Sequence, residues 1–424
     1  MKKILFTMLL TLSAGLLVAC ASPTPEGLTE ADVEATIAAA LEDAAAEGLS
    51  PEDIQATIDA AVAEAEAAGL DEADIQATVV AASSAAEEMD VTSTVVNVYS
   101  ARHYGAVEGP FARFTEETGI EVRLSQGSTQ ELLERIRNDA GQDTPNPPVA
   151  DLFFAIDIGS VALAASEGLL QPVESDILEE NIPALLQAED NQWFAFSQRV
   201  RTIMYNSDTV DPEELDISTY ADLARPEFAG RLCLRPATHI YTIALTASLV
   251  ENFGEEEAEN IVQGWANNTF RYINSDTRIL QTIAAEGGCD IGITNHYYLA
   301  RGLEAGEPWA DLIQPLWANQ NEMGVHRNAF AAGVLNGAAN ADAAILLLEW
   351  MATEGQVPDD TGIAASNNEF PVNPAFDPEP FAASLGLPGV DFVIDPIDPA
   401  TYGSNQSLAL DILERTGYGF AETE

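Results

Sequence analysis

From Val95 onward, short apolar runs alternate with amphipathic stretches, and this alternation narrows the possible folds more than any other feature. Val95-Val96-Asn97-Val98-Tyr99-Ser100 reads as a strand and Ala101-Arg102-His103-Tyr104-Gly105 as the loop after it. Pro110 to Thr118 reads as a helix with Phe111 and Phe114 on one face. Gly119-Ile120-Glu121-Val122-Arg123-Leu124 is a second strand, and Thr129 to Asp139 a helix carrying Leu132, Leu133 and Ile136. Ala150-Asp151-Leu152-Phe153-Phe154-Ala155 is a third strand. Strand and helix in strict turn predict a largely parallel, doubly wound α/β sheet. The roughly 330 residues of this part suffice for two lobes.

What precedes Val95 is of a different kind. Met1-Lys2-Lys3, an apolar run from Ile4 to Val18, and Leu17-Val18-Ala19-Cys20 have the form of an export signal with a lipoprotein-type cleavage site. It resembles the bacterial lipobox, which implies removal of residues 1–19 and lipid on the Cys20 sulfur. The run is too short for a lasting membrane span. Residues 20–94 contain, after Cys20, no Lys, Arg, His or aromatic residue. Gly-Leu followed by Thr29, Ser50 or Asp71 recurs from Gly27, Gly48 and Gly69, a period of 21 residues. Ile54, Ile58 and Val62 share helical spacing, and Thr29, Ser50 and Asp71 stand where N-caps stand. Three short helices forming a repeat stalk, a spacer or a self-associating element, are expected here.

The chain carries 17 basic against 69 acidic residues, a formal charge of -52, and no lysine beyond Lys3. Nucleic-acid binding needs a basic footprint and is excluded. The field of so acidic a chain favours cationic over anionic ligands. Apart from Cys20, the cysteines are Cys233 and Cys289, each in a strand-like run. Export permits them to pair; two reduced core cysteines are the alternative.

Asn295-His296-Tyr297-Tyr298 follows the apolar run Cys289-Asp290-Ile291-Gly292-Ile293-Thr294, and a helix is expected from Leu299. The carboxyl end of a strand is where open α/β sheets hold ligands. Two phenols there suggest a hard, highly charged metal ion, since coordination can deprotonate a group whose free pKa is ~10. The alternative is that one ring packs inward and the other meets solvent.

Several motifs now stand in a recognisable order. They are Tyr-Ser-Ala-Arg-His-Tyr at Tyr99 to Tyr104, Phe-Thr-Glu-Glu-Thr-Gly-Ile-Glu-Val at Phe114 to Val122, and Ala-Asp-Leu-Phe-Phe-Ala-Ile-Asp at Ala150 to Asp157. Glu-Gly-Leu-Leu-Gln-Pro-Val at Glu167 to Val173 and the run Trp193 to Asn206 follow. From Val95 to the C-terminus the chain resembles the ferric-iron-binding proteins of bacterial ABC importers, within the periplasmic solute-binding family. The resemblance implies a type II periplasmic-binding fold: two α/β lobes joined by hinge strands. The first lobe would comprise 95–198 and about 325–370, the second about 199–324 and 371–424. Arg199 to Asn206 would be the first crossing and Met323 to Ala329 the return. A helix over Ala341 to Met351, an irregular Pro-rich run from Pro371 to Pro399 and a helix around Leu408 to Arg415 complete the reading.

By the same resemblance, His103 and Tyr104 of the first lobe and Tyr241, Tyr297 and Tyr298 of the second would hold Fe(III), with a synergistic anion such as carbonate. His239 and His296 are candidates for contact with these ligands, and His326 for a structural role. Arg199 and Arg201 alternate along a strand, so one of them is expected to face the cleft, offsetting phenolate charge or holding the anion. Asp157, at the end of the third strand, is a candidate cleft acceptor. The partners implied are an ABC permease and ATPase, with the main domain monomeric and lipid-anchored outside the cytoplasm, at the cell surface or in the periplasm.

Other readings remain. The same fold could hold a thiamine-like or phosphonate-like solute, with cleft aromatics stacking on it. The stalk could be adhesive. A hydrolase is unsupported: no Gly-x-Ser-x-Gly, His-Glu-x-x-His or Cys-x-x-Cys occurs.

Overall fold

The computed structural model describes residues 94–102, 108–140 and 150–423. The signal segment, Cys20, the repeat region up to Ser93, and His103 and Tyr104 lie outside the described residues.

Strand β1 (Val95–Ser100) leads through helix α1 (Glu108–Thr118) to β2 (Glu121–Gln126), and α2 (Thr129–Ala140) leads to β3 (Leu152–Ala155) and α3 (Ile158–Ser166). β2, β1 and β3 are parallel neighbours, as the alternation predicts. Past α4 (Asp176–Asn181), the long β4 (Phe194–Asn206) carries the chain into a second set of elements. These are β5 (Leu232–Leu234), α5 (Ile240–Phe253), α6 (Glu255–Asn268), β6 (Thr269–Tyr272), α7 (Asp276–Ala284), β7 (Ile291–Asn295), α8 (His296–Glu304) and β8 (Ile313–Leu316). β6, β5 and β7 are again parallel neighbours. The return strand β9 (His326–Val334) runs antiparallel to both β3 and β4. Then come α9 (Ala341–Ala352), β10 (Phe370–Pro371), α10 (Pro380–Ser384), α11 (Thr401–Ser404) and α12 (Gln406–Arg415).

The sheet order is β2-β1-β3-β9-β4-β7-β5-β6, so β4 is common to two half-sheets. Residues Phe194 to Arg201 of β4 pair with β9, and Arg201 to Tyr205 pair with β7. On the first half-sheet β10 pairs with β4 at Ser197 and Gln198; on the second, β8 pairs with it at Ile203 to Asn206. Two parallel half-sheets joined through antiparallel crossing strands make the two-lobed periplasmic-binding architecture.

Each half has its own core. In the first, Phe154 meets Phe111 at 5.7 Å and Phe330 at 5.2 Å between ring centroids. In the second, α5 is buried continuously from Tyr241 to Val250, packed with Leu232, Ile261, Trp265 and Leu413. Thr242, Thr246 and Ser248 are buried along with its apolar residues, so this helix is enclosed on every side through its middle. Among the described residues, no helix is long and apolar enough to cross a membrane.

Candidate metal centre

Three tyrosines converge from two helix amino ends. Tyr241 is the second residue of α5, reached from β5 through Arg235-Pro236-Ala237-Thr238-His239. Tyr297 and Tyr298 are the second and third residues of α8, which begins directly after β7. The helix therefore starts three residues before the Leu299 expected from the sequence, with Asn295 as its N-cap. The Tyr241 and Tyr297 hydroxyls are 3.0 Å apart, and the Tyr297 and Tyr298 rings lie 4.3 Å apart at 31°. Their exposures are 5%, 0% and 5%, so neither member of the adjacent pair turns to solvent.

Arginines enclose these rings. The guanidinium carbons of Arg199, Arg201 and Arg235 lie 5.1, 5.6 and 5.7 Å from the centroid of Tyr241. Only one of Arg199 and Arg201 was expected to face the cleft, but both reach Tyr241. Residues two apart on a strand share a face. Arg301, one turn along α8, covers Tyr297 and Tyr298 at 5.2 and 4.8 Å.

Two buried carboxylates anchor the guanidiniums. Asp276, in the first turn of α7, accepts from Arg201 at 3.0 Å and from Arg235 at 2.8 Å. Glu369 pairs with Arg102 at 2.9 Å, accepts from the Ser197 hydroxyl at 2.8 Å, and lies 3.7 Å from Arg199. Arg199 also donates to the carbonyl of Ile156. Burial disfavours both carboxylates, yet the adjacent arginines hold them below the usual carboxylate range. Burial likewise opposes the Arg199 charge, but Tyr241, Glu369, Tyr297 and Asp157 outweigh it and hold the guanidinium above its ordinary pKa. Four buried guanidiniums, those of Arg102, Arg199, Arg201 and Arg235, thus share two buried carboxylates, with buried Asp157 also acting on Arg199, and the surplus positive charge lies beside the phenols.

The remaining candidates are placed as follows. The His239 imidazole accepts from the Tyr241 amide at 3.2 Å, and its ring is 4.4 Å from that of Tyr241. Burial and Arg235 push its pKa down. His296 is fully buried, 5.9 Å edge-on from Tyr297, and stacked on Phe370 at 4.2 Å. His326, on β9, faces Tyr402 at 5.1 Å. Asp157 caps α3: both its oxygens accept from Ser160, and burial raises its pKa. Cys233 and Cys289 are joined, with Cα atoms 5.7 Å apart, and tie β5 to the approach to β7. The sequence alone assigns no role to Arg102, Arg235, Asp276, Arg301 or Glu369. Arg235 and Arg102 stand in stretches that it singles out; for the two carboxylates no local signal exists, because their partners are far away in sequence.

Among the described residues, no three His, Cys, Asp or Glu side chains cluster as metal ligands. An ion held here would be one that accepts phenolate. Phenolate oxygen is a hard anionic donor, suited to a small, highly charged cation.

Two half-sheets crossed by two strands, with a polar site at the carboxyl ends of β5 and β7, define a solute-binding protein of the periplasmic-binding fold. Residues 97–358 match the bacterial extracellular solute-binding protein family, and the chain belongs to it. It is 34% identical over 334 residues to iron uptake protein A2 of Synechocystis, covering 77% of this chain and 90% of that one. A Trichodesmium FutA (IdiA) structure in complex with iron and citrate is 35% identical, with a TM-score of 0.67, over 76% of this chain and 99% of that one. The ferric binding protein of Campylobacter jejuni is 30% identical, with a TM-score of 0.69, over 76% and 99%.

Proposed function

We propose that this protein captures ferric iron outside the cytoplasm and delivers it to an ABC importer. The observation that carries the reading is the 3.0 Å approach of the Tyr241 and Tyr297 hydroxyls, with Tyr298 against them and arginines around them. Tyr241, Tyr297 and Tyr298 bind as phenolates. His103 and Tyr104, which follow Arg102 in the sequence, supply the ligands of the other lobe. With Tyr104 a fourth phenolate, the ion and its ligands carry net negative charge, which the surplus of arginine charge offsets. An oxyanion is the further partner of the arginines: carbonate, or citrate as in the Trichodesmium complex. Ligands divided between lobes make closure and capture one event, since only the closed form offers the full set. The family's role implies a permease and an ATPase as partners. Lipid on Cys20 would tether the protein to the membrane face.

The test is a ferric titration of the purified protein. A visible phenolate-to-iron charge-transfer band is expected, lost on reduction with a chelator, and lost as pH falls because protons compete for the phenolates. The Tyr297→Phe/Tyr298→Phe double variant keeps both rings and removes only their oxygens, so it should fold while affinity and band collapse. Unchanged binding and an unchanged spectrum in that variant would refute the site.

A further inference from the structure

Three consecutive residues attached to the first half-sheet grip the helix that carries two of the tyrosines. The segment Asn368-Glu369-Phe370 leads into β10, which pairs with β4 at Gln198, on the half that also pairs with β9. Helix α8 follows β7 and belongs to the other half. Phe370 stacks on His296 at the amino end of α8, with rings 4.2 Å apart and 3° from parallel. The Asn368 amide donates to Glu304 at the carboxyl end of α8, at 2.9 Å. Between them Glu369 holds Arg102, two residues past β1, and approaches Arg199, whose guanidinium lies over Tyr241. All three residues are at most 3% exposed. Asn368 is held in the left-handed region at φ 56°, a conformation that non-glycine residues adopt rarely and that turns its amide toward Glu304.

We infer that Asn368, Glu369 and Phe370 form an inter-lobe clasp that positions the tyrosine-bearing helix and slows release of the bound ion. β4 holds the same end of α8 through the Val200 amide, which donates to His296 Nδ1 at 3.4 Å; if α8 is to leave the first half when the halves open, the stack on His296 and the bond to Glu304 must give way. Their loss must precede or accompany withdrawal of Tyr297 and Tyr298 from the ion. Neither Asn368 nor Phe370 offers the ion an atom. They are positioning residues, and they act on release rather than on the ligand set.

This inference rests on the ferric reading and is tested with iron-loaded protein. Asn368→Gly keeps the left-handed backbone and deletes the amide; Phe370→Leu keeps an apolar side chain and deletes the stack. Release to a competing chelator is expected to accelerate about fivefold in Asn368→Gly and about tenfold in Phe370→Leu, from the loss of one hydrogen bond and one aromatic pair. The position of the charge-transfer band should be unchanged, which a disordered site would not give. Wild-type release rates in both variants overturn the clasp. A wild-type protein without a ferric band overturns the metal reading instead. The clasp is then decided by small-angle scattering of the metal-free chains, where an unchanged radius of gyration in both variants overturns it.

Discussion

Asp276 is the residue on which the arginine cluster depends most, and Asp276→Asn tests that dependence. The carboxylate is fully buried and serves two guanidiniums at once: Oδ1 accepts from Arg201 at 3.0 Å, and Oδ2 faces Nε and Nη2 of Arg235 at 2.8 and 2.7 Å. An asparagine of the same shape keeps one oxygen. Whichever arginine that oxygen serves, the new NH2 group confronts the other, donor against donor. Losing one charge-assisted bond costs ~1.5–3 kcal/mol. The carboxylate also sits in the first turn of α7, where its charge gains ~0.3–1 kcal/mol from the helix dipole. Breaking a buried pair by removing one partner costs ~3–5 kcal/mol in all. With unfolding entropy scaling with chain length, that lowers the midpoint of a unit of this size by about 4–7 °C.

Scanning calorimetry of the iron-free protein measures it. Asp290→Asn is the control: Arg231–Asp290 has comparable distances, 3.1 and 2.7 Å, but both side chains are over 20% exposed. Solvent screening limits that pair to ~1 kcal/mol or less. A shift at Asp276 no larger than the control's would refute the reasoning, because it would mean that Arg201 and Arg235 do not rely on the buried charge. Arg201 keeps Asn295 and the Ile293 carbonyl as acceptors and Arg235 keeps Asn274, so both remain near Tyr241 but are held less firmly, and iron release from Asp276→Asn is expected to quicken.

Three further outcomes follow from the same structure. Burial pushes the pKa values of His296 and His326 down to about 3, so both stay neutral in the fold while the unfolded chain takes up protons below ~6.5. Their stabilising contribution is complete above that pH and is lost as pH falls toward 3, by about 2 kcal/mol each at pH 5; urea unfolding of the iron-free protein at pH 7 and pH 5 should show it, and His326→Gln should reduce the slope. His239, partly exposed, shifts in the same direction, and solvent screening discounts its contribution. Replacing Cys233 and Cys289 by serine opens a loop with a sequence separation of 56, worth about 4 kcal/mol by chain entropy, and the urea midpoint should drop accordingly; mass spectrometry finding free thiols in the exported protein would contradict the bond. Removing residues 21–93 deletes no phenol, imidazole or arginine, so ferric affinity should equal that of the longer protein in a chelator competition.

How much of this was legible beforehand depends on the range of the interaction that fixes each feature. Local chemistry placed the parallel strands, because alternation of apolar runs and amphipathic helices is written residue by residue. It also placed Tyr297 and Tyr298 at the end of a strand. It misjudged boundaries where tertiary contacts decide them. β4 begins at Phe194 rather than Arg199, because β9 pairs with it back to that residue. α8 begins at His296, directly after β7, with that ring stacked on Phe370. The carboxylates were not legible at all. Asp276 lies 75 residues from Arg201, and the Glu369 oxygen accepts from Ser197 across 172 residues. In a chain with 69 acidic residues, nothing local sets those two apart from any solvated acid. What distinguishes them is burial against arginines. Without lysine past Lys3, every cation available to compensate a buried carboxylate is a guanidinium, whose fixed fork can serve a carboxylate and a ring face together. Arg199 does both, with Glu369 near one edge and Tyr241 beneath its plane. The carboxylates therefore set where positive charge stands around the phenols.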